Sequence, residues 1–285
     1  MQQNDLLKMY GLDNYINTKK VKMVRHQDNS LNFEKLLKSN LLEEYQKYQS
    51  KDVFRECDYI LVYTAFGKTH SLFYGIYRIK GKEYSENIKV SKALQSCNHP
   101  NNFKGFIYDL EEVHFLDDLK NRLVIDWGKS TITWDQWLNK NNKDVVSIRP
   151  KGYVKDFTGY LDVVLSFLEL ENIIKYKEAN QTWFNKLSSI YAIYLILDTK
   201  TGNQYIGSAS GKEGLWGRWK NYVDSIHGGN NSLRELIEKN GDHYKYKFQY
   251  SILHILSATK ASKVQYYEKL YKKKLGSKTF GLNQN

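Results

Sequence analysis

The stretch that most constrains the fold spans residues 191–207 and reads YAIYLILDTKTGNQYIG. Its first half is apolar and rich in residues that favour strands, and the Asp, Gly and Asn residues that follow favour a turn. Gln204, Tyr205 and Ile206 then resume a strand pattern. The stretch therefore predicts a β-hairpin that carries one tyrosine on each strand, Tyr194 and Tyr205.

The charge of the chain indicates its class of partner. The chain has 285 residues, of which 41% are hydrophobic and 14% aromatic, enough apolar material for one large folded domain or two ordinary ones. Its net charge is +12: residues 189–285 hold 15 basic and 7 acidic residues, and the first 188 residues hold 28 and 24. Concentrated positive charge favours a polyanion such as nucleic acid, although an AT-rich genome also produces lysine-rich chains.

The cysteines and the N-terminus exclude several classes. The two cysteines, Cys57 and Cys97, are far apart in the sequence and form no Cys-x-x-Cys pair, which argues against a structural zinc site or a disulfide framework. No basic patch precedes an apolar core at the N-terminus, and no long apolar run occurs elsewhere. These features favour a soluble, cytoplasmic protein with no membrane segment.

The first 180 residues predict a mixed α/β domain. Apolar positions at helical spacing predict a helix over residues 31–45, and another over residues 161–170. Short apolar runs predict strands at residues 59–66, 72–79, 105–110, 123–127 and 130–134. Strands this short and this close predict a small curved sheet or barrel. The polar segment at residues 175–181 predicts a boundary between domains 1–180 and 181–285.

Several polar residues that follow the hairpin lie at positions in predicted helices and loops where they could form an active site. Arg218 and Tyr222 are four residues apart on a predicted helix, so their side chains share one face. His227 lies in a glycine-rich loop before another predicted helix, where backbone N–H groups can approach an anion. The last predicted helix has Glu268 as its only carboxylate among many lysines, and Asn283 lies just beyond it.

An Ile-Tyr pair followed by Tyr-Ile-Gly at a spacing of eleven residues resembles the GIY-YIG nuclease family, with Ala192 in place of the first glycine. The resemblance covers about residues 189–283. It implies an α+β fold in which a three-stranded antiparallel sheet is flanked by helices, with residues 248–256 as the third strand. The residues that match the family's motifs are Tyr194, Tyr205, Gly207, Arg218, Tyr222, Glu268 and Asn283.

The resemblance implies Mg²⁺-dependent hydrolysis of phosphodiester bonds in double-stranded DNA. Glu268 would hold one Mg²⁺ ion, for which Mn²⁺ can substitute, beside the scissile phosphate. Arg218 would stabilise the negative charge that grows in the transition state. Tyr194 would accept the proton of the attacking water, its pKa lowered by the metal and nearby cations, while Tyr205 and Tyr222 would position water or phosphate.

The other matched or basic residues have less specific roles. His227 would contact a phosphate or relay a proton, and Asn283 would be a polar contact near the site. For Glu268, an ion pair with a lysine one helical turn later is the alternative to metal binding. The segment between Gly207 and Arg218 is longer than in compact members of the family, so the identity of any auxiliary base or lysine is left open, with Lys212 and Lys220 as the candidates. The lysines assigned to DNA binding are Lys212, Lys220, Lys272 and Lys273.

GIY-YIG domains have little sequence preference, so the first 180 residues are predicted to recognise the target, as in a restriction or phage-defence enzyme. Recognition of modified bases by base flipping is one form of this hypothesis. The alternatives are a mobile-element or defence nuclease whose N-terminal region binds a partner protein, and a DNA-binding protein without catalysis. A PD-(D/E)xK site at Asp109 and residues 118–120 is a weaker alternative. Cutting both strands with one active site per chain would need a homodimer or sequential nicking.

Overall fold

The computed structural model describes residues 1–28, 30–129, 132–257 and 261–283. The chain divides into two units, Met1–Arg149 and Pro150–Asn285. Each unit has its own sheet and its own buried apolar clusters. Within the described ranges, every helix is too short or too polar to cross a lipid bilayer.

The first unit combines an eight-stranded sheet with short helices. Its strands are β1 (Val21–His26), β2 (Tyr48–Gln49), β3 (Tyr59–Phe66), β4 (His70–Lys89), β5 (Asn102–Val113), β6 (Leu123–Asp126), β7 (Asp135–Trp137) and β8 (Asp144–Ile148). Its helices are α1 (Gln3–Met9), α2 (Leu12–Tyr15), α3 (Phe33–Lys38), α4 (Leu42–Lys47) and α5 (Lys92–Gln95), with 3₁₀ turns at Thr18–Lys20, His114–Leu119 and Leu138–Lys140.

The sheet of the first unit has the strand order β2-β5-β4-β3-β1-β7, and β6 joins β4 to β8. Only the β1–β3 pairing is parallel among the described strands. Register shifts in the pairing of β4 with β3 and with β5 mark irregularities of the kind that bend a strand. Strands are therefore present where the sequence predicts them at residues 59–66, 72–79, 105–110 and 123–127, in a sheet of eight strands with β2 and β7 at the two ends of its main path in the described part of the chain.

Both faces of this sheet are covered at the strand β3, which explains why most of its residues are apolar. Leu61 and Tyr63 of β3 pack into one buried cluster, while Ile60 and Val62 pack into another. Successive side chains of a strand point to opposite faces, so a strand that is buried on both sides has no polar alternation.

Two local predictions differ from the observed structure of the first unit. The predicted helix over residues 31–45 is two helices, α3 and α4, because Asn40 between them has a left-handed backbone with φ of 54°. The predicted strand over residues 130–134 falls partly on Ser130 and Thr131, which lie outside the described residues, and the strand β7 begins at Asp135.

The buried imidazole of His26 makes stability depend on pH in the acid range. His26 is 4% exposed, and burial lowers its pKa from 6.5 to about 4, with Gln46 opposing the change. The imidazole of His26 takes up a proton near pH 6.5 in the unfolded chain but only near pH 4 in the folded chain. The contribution of the neutral imidazole to the free energy of unfolding is therefore complete above pH 6.5 and is lost as the pH falls towards 4. The full effect is about 3 kcal/mol.

We expect the urea midpoint of unfolding to fall between pH 6.5 and pH 4. His26→Gln is expected to flatten this pH dependence, whatever it does to the stability at neutral pH. Equal slopes in the wild type and in His26→Gln would contradict the prediction.

The second unit is an α+β structure built on a four-stranded antiparallel sheet with the order β11-β10-β12-β9. Its strands are β9 (Val164–Ser166), β10 (Tyr191–Asp198), β11 (Gln204–Ala209) and β12 (Phe248–Leu256). Its helices are α6 (Phe167–Lys175), α7 (Gln181–Ser188), α8 (Gly214–Ser225), α9 (Asn231–Asn240) and α10 (Ala261–Lys274), with 3₁₀ turns at Glu178–Asn180 and Asp242–Lys247. The hairpin and the third strand are present as predicted, and β9 adds a fourth strand.

The fourth strand changes how residues 150–180 are interpreted. The sequence predicts a helix over residues 161–170, but β9 pairs with β12 there and α6 begins only at Phe167. Ser166 and Glu169 form a reciprocal capping box, which fixes this start. Because β9 belongs to the sheet of the second unit, that unit begins at Pro150, whereas the boundary predicted from the sequence lies between residues 180 and 181.

Alternation along β10 directs its side chains to two different layers. Ala192, Tyr194 and Ile196 pack into the large cluster that includes α8 residues. Ile193 packs on the other face, with Ile206 of β11 and Val264 of α10. The edge strand β11 therefore has α8 on one side of the sheet and α10 on the other.

Candidate active site

A hydrogen-bonded cluster of one arginine and two tyrosines joins β10 to α8. Arg218 Nε donates to Tyr194 Oη at 2.9 Å, and Arg218 Nη2 donates to Tyr222 Oη at 3.1 Å. The two phenol oxygens are themselves 3.1 Å apart. Arg218 Nη1 donates to the carbonyl oxygen of Gly228 at 3.0 Å. The fork of the guanidinium is thus held by three different partners, two of which are fully buried phenols.

Two glycines leave the space that these phenols occupy. Gly207 lies opposite Tyr194 in the β10–β11 register, and a Cβ atom on Gly207 would lie 2.3 Å from Tyr194 Oη. A Cβ atom on Gly228 would lie 2.5 Å from the ring of Tyr222, and Gly228 also has a positive φ of 55°. The glycine of the Tyr-Ile-Gly triplet is therefore required by the position of the facing tyrosine.

The electrostatics of the cluster keep the phenols protonated. Burial raises the pKa of Tyr194 above its ordinary value; Tyr205 adds to this effect, and Arg218 opposes it without cancelling it. Burial also raises the pKa of Tyr222, with Tyr194 adding to it. Burial alone would lower the pKa of Arg218, but the two phenols raise it overall. For Tyr194 this direction is opposite to the sequence expectation, in which a metal and cations lower the pKa.

Tyr205 and Asn283 support the same strand in different ways. The ring of Tyr205 is 8% exposed, and its centroid lies 6.5 Å from those of both Tyr194 and Tyr222. The side chain of Asn283 accepts a bond from Ile206 N and donates one to Ile206 O, each at 2.8 Å. Asn283 therefore binds β11 in the manner of a neighbouring strand and fixes the residues on either side of Ile206.

Glu268 is held from two directions on the other side of β11. Ser208 Oγ donates a hydrogen bond to Glu268 Oε2, and Lys272 Nζ lies 2.8 Å from Glu268 Oε1. The side chain of Glu268 is 21% exposed and that of Lys272 only 7%. The ion pair that the sequence offered as an alternative for Glu268 is thus formed. A carboxylate and a hydroxyl oxygen are nonetheless hard ligands that suit Mg²⁺, which would compete with Lys272 for Oε1.

A cleft of about 520 Å³ opens beside the end of β11 and the start of α8. Ser208 and Arg218 both line it, so the residue that holds Glu268 and the residue that holds the tyrosines face the same space. Lys212, Glu213 and Asn221 complete its polar wall. Ser208 was not identified from the sequence, although its place directly after Gly207 on the strand was the available signal.

The remaining candidates are His227 and the four lysines predicted from the sequence to bind DNA. His227 Nδ1 accepts a bond from Gly229 N at 3.0 Å in the loop whose Gly228 carbonyl binds Arg218. Lys220 is exposed and pairs with Asp224 at 2.5 Å. Lys273 is exposed, and with Lys272 it lines a second groove, together with Lys269 and Lys278. Of the four lysines, Lys212 alone is among the residues that line the cleft described above.

The residues of the weaker PD-(D/E)xK alternative lie on the surface of the first unit. Asp118 Oδ1 accepts a bond from Arg122 Nη1 at 2.7 Å. Lys120 donates a hydrogen bond to Glu112. Both side chains are therefore engaged in ion pairs with other partners.

No protein-family model and no curated protein matches the sequence. Two solved structures are similar to it. One is a mutant of the catalytic domain of the intron endonuclease I-TevI, 26% identical, with a TM-score of 0.27 over 34% of this chain and 94% of that chain. The other is the catalytic domain of the homing endonuclease I-TevI, 28% identical, with a TM-score of 0.26 over 33% of this chain and 96% of that chain. Such low TM-scores carry no functional conclusion, so function has to be inferred from the geometry of the site.

Proposed function

We propose that the second unit is a Mg²⁺-dependent endonuclease of the GIY-YIG type that hydrolyses phosphodiester bonds in double-stranded DNA. The observation that carries this proposal is the fixed fork of Arg218 at a cleft that it shares with Ser208, the partner of Glu268. A guanidinium can stabilise the charge that develops on the phosphate, and a carboxylate can hold a metal ion, so the two groups on either side of one edge strand suit phosphodiester hydrolysis.

Arg218 has hydrogen-bond donors left for a phosphate. Nη1 and Nη2 each carry two N–H groups, and one on each is used by Gly228 and Tyr222. Because Arg218 lines the cleft, the remaining N–H groups can bind two phosphate oxygens. Tyr194 and Tyr222 would then act by holding the fork in its orientation before the substrate arrives, which lowers the cost of reorganisation during reaction.

Glu268 and Ser208 are the residues that would hold the metal ion. When bound, Mg²⁺ would supply a Lewis acid for the phosphate and stabilise the leaving oxygen. Binding of Mg²⁺ at Glu268 Oε1 would require the displacement of Lys272 from that oxygen. A role for Tyr194 as general base would require its raised pKa to fall when metal and DNA bind, and would require water to reach a phenol that is fully buried here.

For the whole chain we propose a restriction or phage-defence role in the cytoplasm, with the first unit supplying target recognition. A homodimer would bring two such active sites to the two strands of DNA. The alternative is a nuclease whose first unit binds a partner protein. The two differ in whether the intact chain cleaves DNA without added proteins.

The decisive experiment is cleavage of supercoiled plasmid and of DNA bearing modified cytosines by the intact chain. We expect nicked or linear products with Mg²⁺ or Mn²⁺ and none with EDTA. Glu268→Gln removes the charge but keeps the shape, and is expected to lower the rate about a hundredfold or more, because a metal is worth several kcal/mol in the transition state.

Glu238→Gln on α9 is the matched control, because Glu238 is an exposed glutamate of the same unit. It is expected to cleave as the wild type does. Equal rates in Glu268→Gln and the wild type would exclude Glu268 as the metal ligand. A lack of cleavage by the wild type on every DNA would leave the partner-dependent nuclease or the DNA-binding protein as the better proposal.

A further inference from the structure

A second cavity lies inside the first unit, and nothing in the proposed nuclease chemistry uses it. It measures about 380 Å³, a size in the range of small-molecule sites. β1 supplies Arg25 and His26 to its lining, the end of α4 and strand β2 supply Tyr45 and Tyr48, and Trp134 comes from just before β7. Residues from three separate stretches of the sequence are thus gathered around one space.

Aromatic rings form much of the lining. Tyr45, Tyr48 and Trp134 are half-buried, and all three line the cavity. The centroid of the buried His26 ring lies 5.4 Å from that of Tyr45 and 6.0 Å from that of Trp134. Partly exposed rings around a cavity offer the flat surfaces on which a planar ligand stacks.

A buried polar atom at this cavity lacks a partner of hydrogen-bond geometry. His26 is 4% exposed, and its Nε2 atom makes no hydrogen bond within the described residues. The buried amide of Gln46 lies close enough to raise the pKa of His26 in part, but its nitrogen and oxygen do not meet the geometry of a hydrogen bond either. Leaving such groups unpaired costs free energy. His26 lines the cavity, so a ligand with hydrogen-bonding groups on its edge would supply the missing partner.

The cavity also contains a buried positive charge without a matching acid. The side chain of Arg25 is 1% exposed and donates to Ser71 Oγ at 2.9 Å and to the backbone oxygen of Lys68 at 3.3 Å. Gln27, at the mouth of the cavity, accepts a third bond from it. No carboxylate among the described residues forms an ion pair with Arg25. A buried guanidinium that has only neutral partners favours an anionic or electron-rich ligand.

We infer that this cavity binds a single nucleobase. Flat aromatic surfaces, an unpaired imidazole nitrogen and a guanidinium without an acidic partner together match a heteroaromatic ring with a polar, electron-rich edge. The base comes either from a nucleotide extruded from DNA or from a free nucleoside. The site lies in the first unit, and it would exist whether or not the second unit cleaves DNA.

The test is binding of short labelled duplexes to the intact chain in EDTA, measured by fluorescence anisotropy. Extruding a base costs less from a mismatched pair than from a matched one. We therefore expect a duplex with one mismatch to bind about tenfold more tightly than the matched duplex, which corresponds to one decade in Kd. Thermal-shift measurements with each free 2′-deoxynucleoside test the other source.

Trp134→Ala and Tyr48→Ala remove two of the aromatic surfaces and are expected to bring the ratio of the two affinities to about one. Gln27→Ala alters an exposed residue at the mouth and keeps the test valid if an aromatic variant does not fold. Tyr84→Ala is the matched control, because Tyr84 is 50% exposed on β4 and is not among the residues that line the cavity.

Loss of the mismatch preference in the cavity variants but not in Tyr84→Ala would assign the site to a base in DNA. Binding of a free deoxynucleoside that these variants lose, without a mismatch preference, would assign it to a free nucleoside. Neither kind of binding, or a preference that survives in all the cavity variants, would overturn the inference. Since no step of the test involves cleavage, its failure leaves the Glu268→Gln experiment unaffected.

Discussion

Replacing Arg218 with lysine is expected to lower the rate of DNA cleavage about a thousandfold, the largest effect of any single conservative change in the second unit. Three nitrogen atoms of Arg218 have separate partners in Tyr194, Tyr222 and Gly228. A lysine has one nitrogen atom, so it cannot bind all three and still reach a phosphate. The positive charge is kept, so a large loss would show that the geometry of the fork is what matters.

The loss should appear in kcat more than in KM, because the fork is proposed to act on charge that develops in the transition state. Arg234→Lys on α9 is the control, since Arg234 is an exposed arginine of the same unit. Circular dichroism and thermal melting of both variants separate lost chemistry from lost folding. If Arg218→Lys keeps the wild-type rate within a few-fold, Arg218 supports the packing of α8 and does not act on the phosphate.

The elements around Arg218 could be predicted because they depend on local patterns. The β-hairpin follows from its apolar strands and its turn residues, and Asp198 stabilises that turn by accepting bonds from Lys200 N and Thr201 Oγ1. The one-turn spacing of Arg218 and Tyr222 directs both side chains to β10, where Tyr194 meets them. Short-range periodicity is therefore sufficient to place this part of the site.

Contacts between residues far apart in the sequence could not be predicted in this way. The bond from Ser208 to Glu268 joins two elements that no local pattern relates, and the burial of Lys272 depends on how α10 packs against the sheet. The same reason explains the domain boundary. Whether residues 164–166 form a strand is decided by the presence of β12 beside them, and a short apolar run is compatible with a helix as well.

The cavity of the first unit could not be predicted from the sequence either, because its lining residues are brought together only by the fold. A base-flipping reader is one form of the recognition hypothesis, but no motif in the sequence points to the residues that would form it. Arg25 and His26 are adjacent in β1, whereas Tyr45, Tyr48 and Trp134 come from other segments. Only the fold brings them together, and only the fold shows that the imidazole nitrogen of His26 has no partner among the described residues.

Gly207→Ala is expected to damage both the stability and the activity of the second unit. The backbone of Gly207 is ordinary extended strand, so alanine is not excluded by its conformation. The added Cβ atom would instead lie 2.3 Å from Oη and 2.4 Å from Cζ of Tyr194. The ring is fully buried and cannot bend away, so relieving the clash must move the phenol out of its bonds with Arg218 and Tyr222.

We expect this overpacking to lower the free energy of unfolding by about 2 kcal/mol and to lower cleavage about a hundredfold, because a displaced Tyr194 no longer orients the guanidinium of Arg218. Gly81→Ala is the matched control, since Gly81 also lies in a strand and has no atom within 4 Å of an added Cβ. Urea unfolding and plasmid cleavage of the two variants measure both effects. A Gly207→Ala protein with wild-type stability and rate would mean that the phenol of Tyr194 is free to move, and that the fork of Arg218 is not held in the way the structure implies.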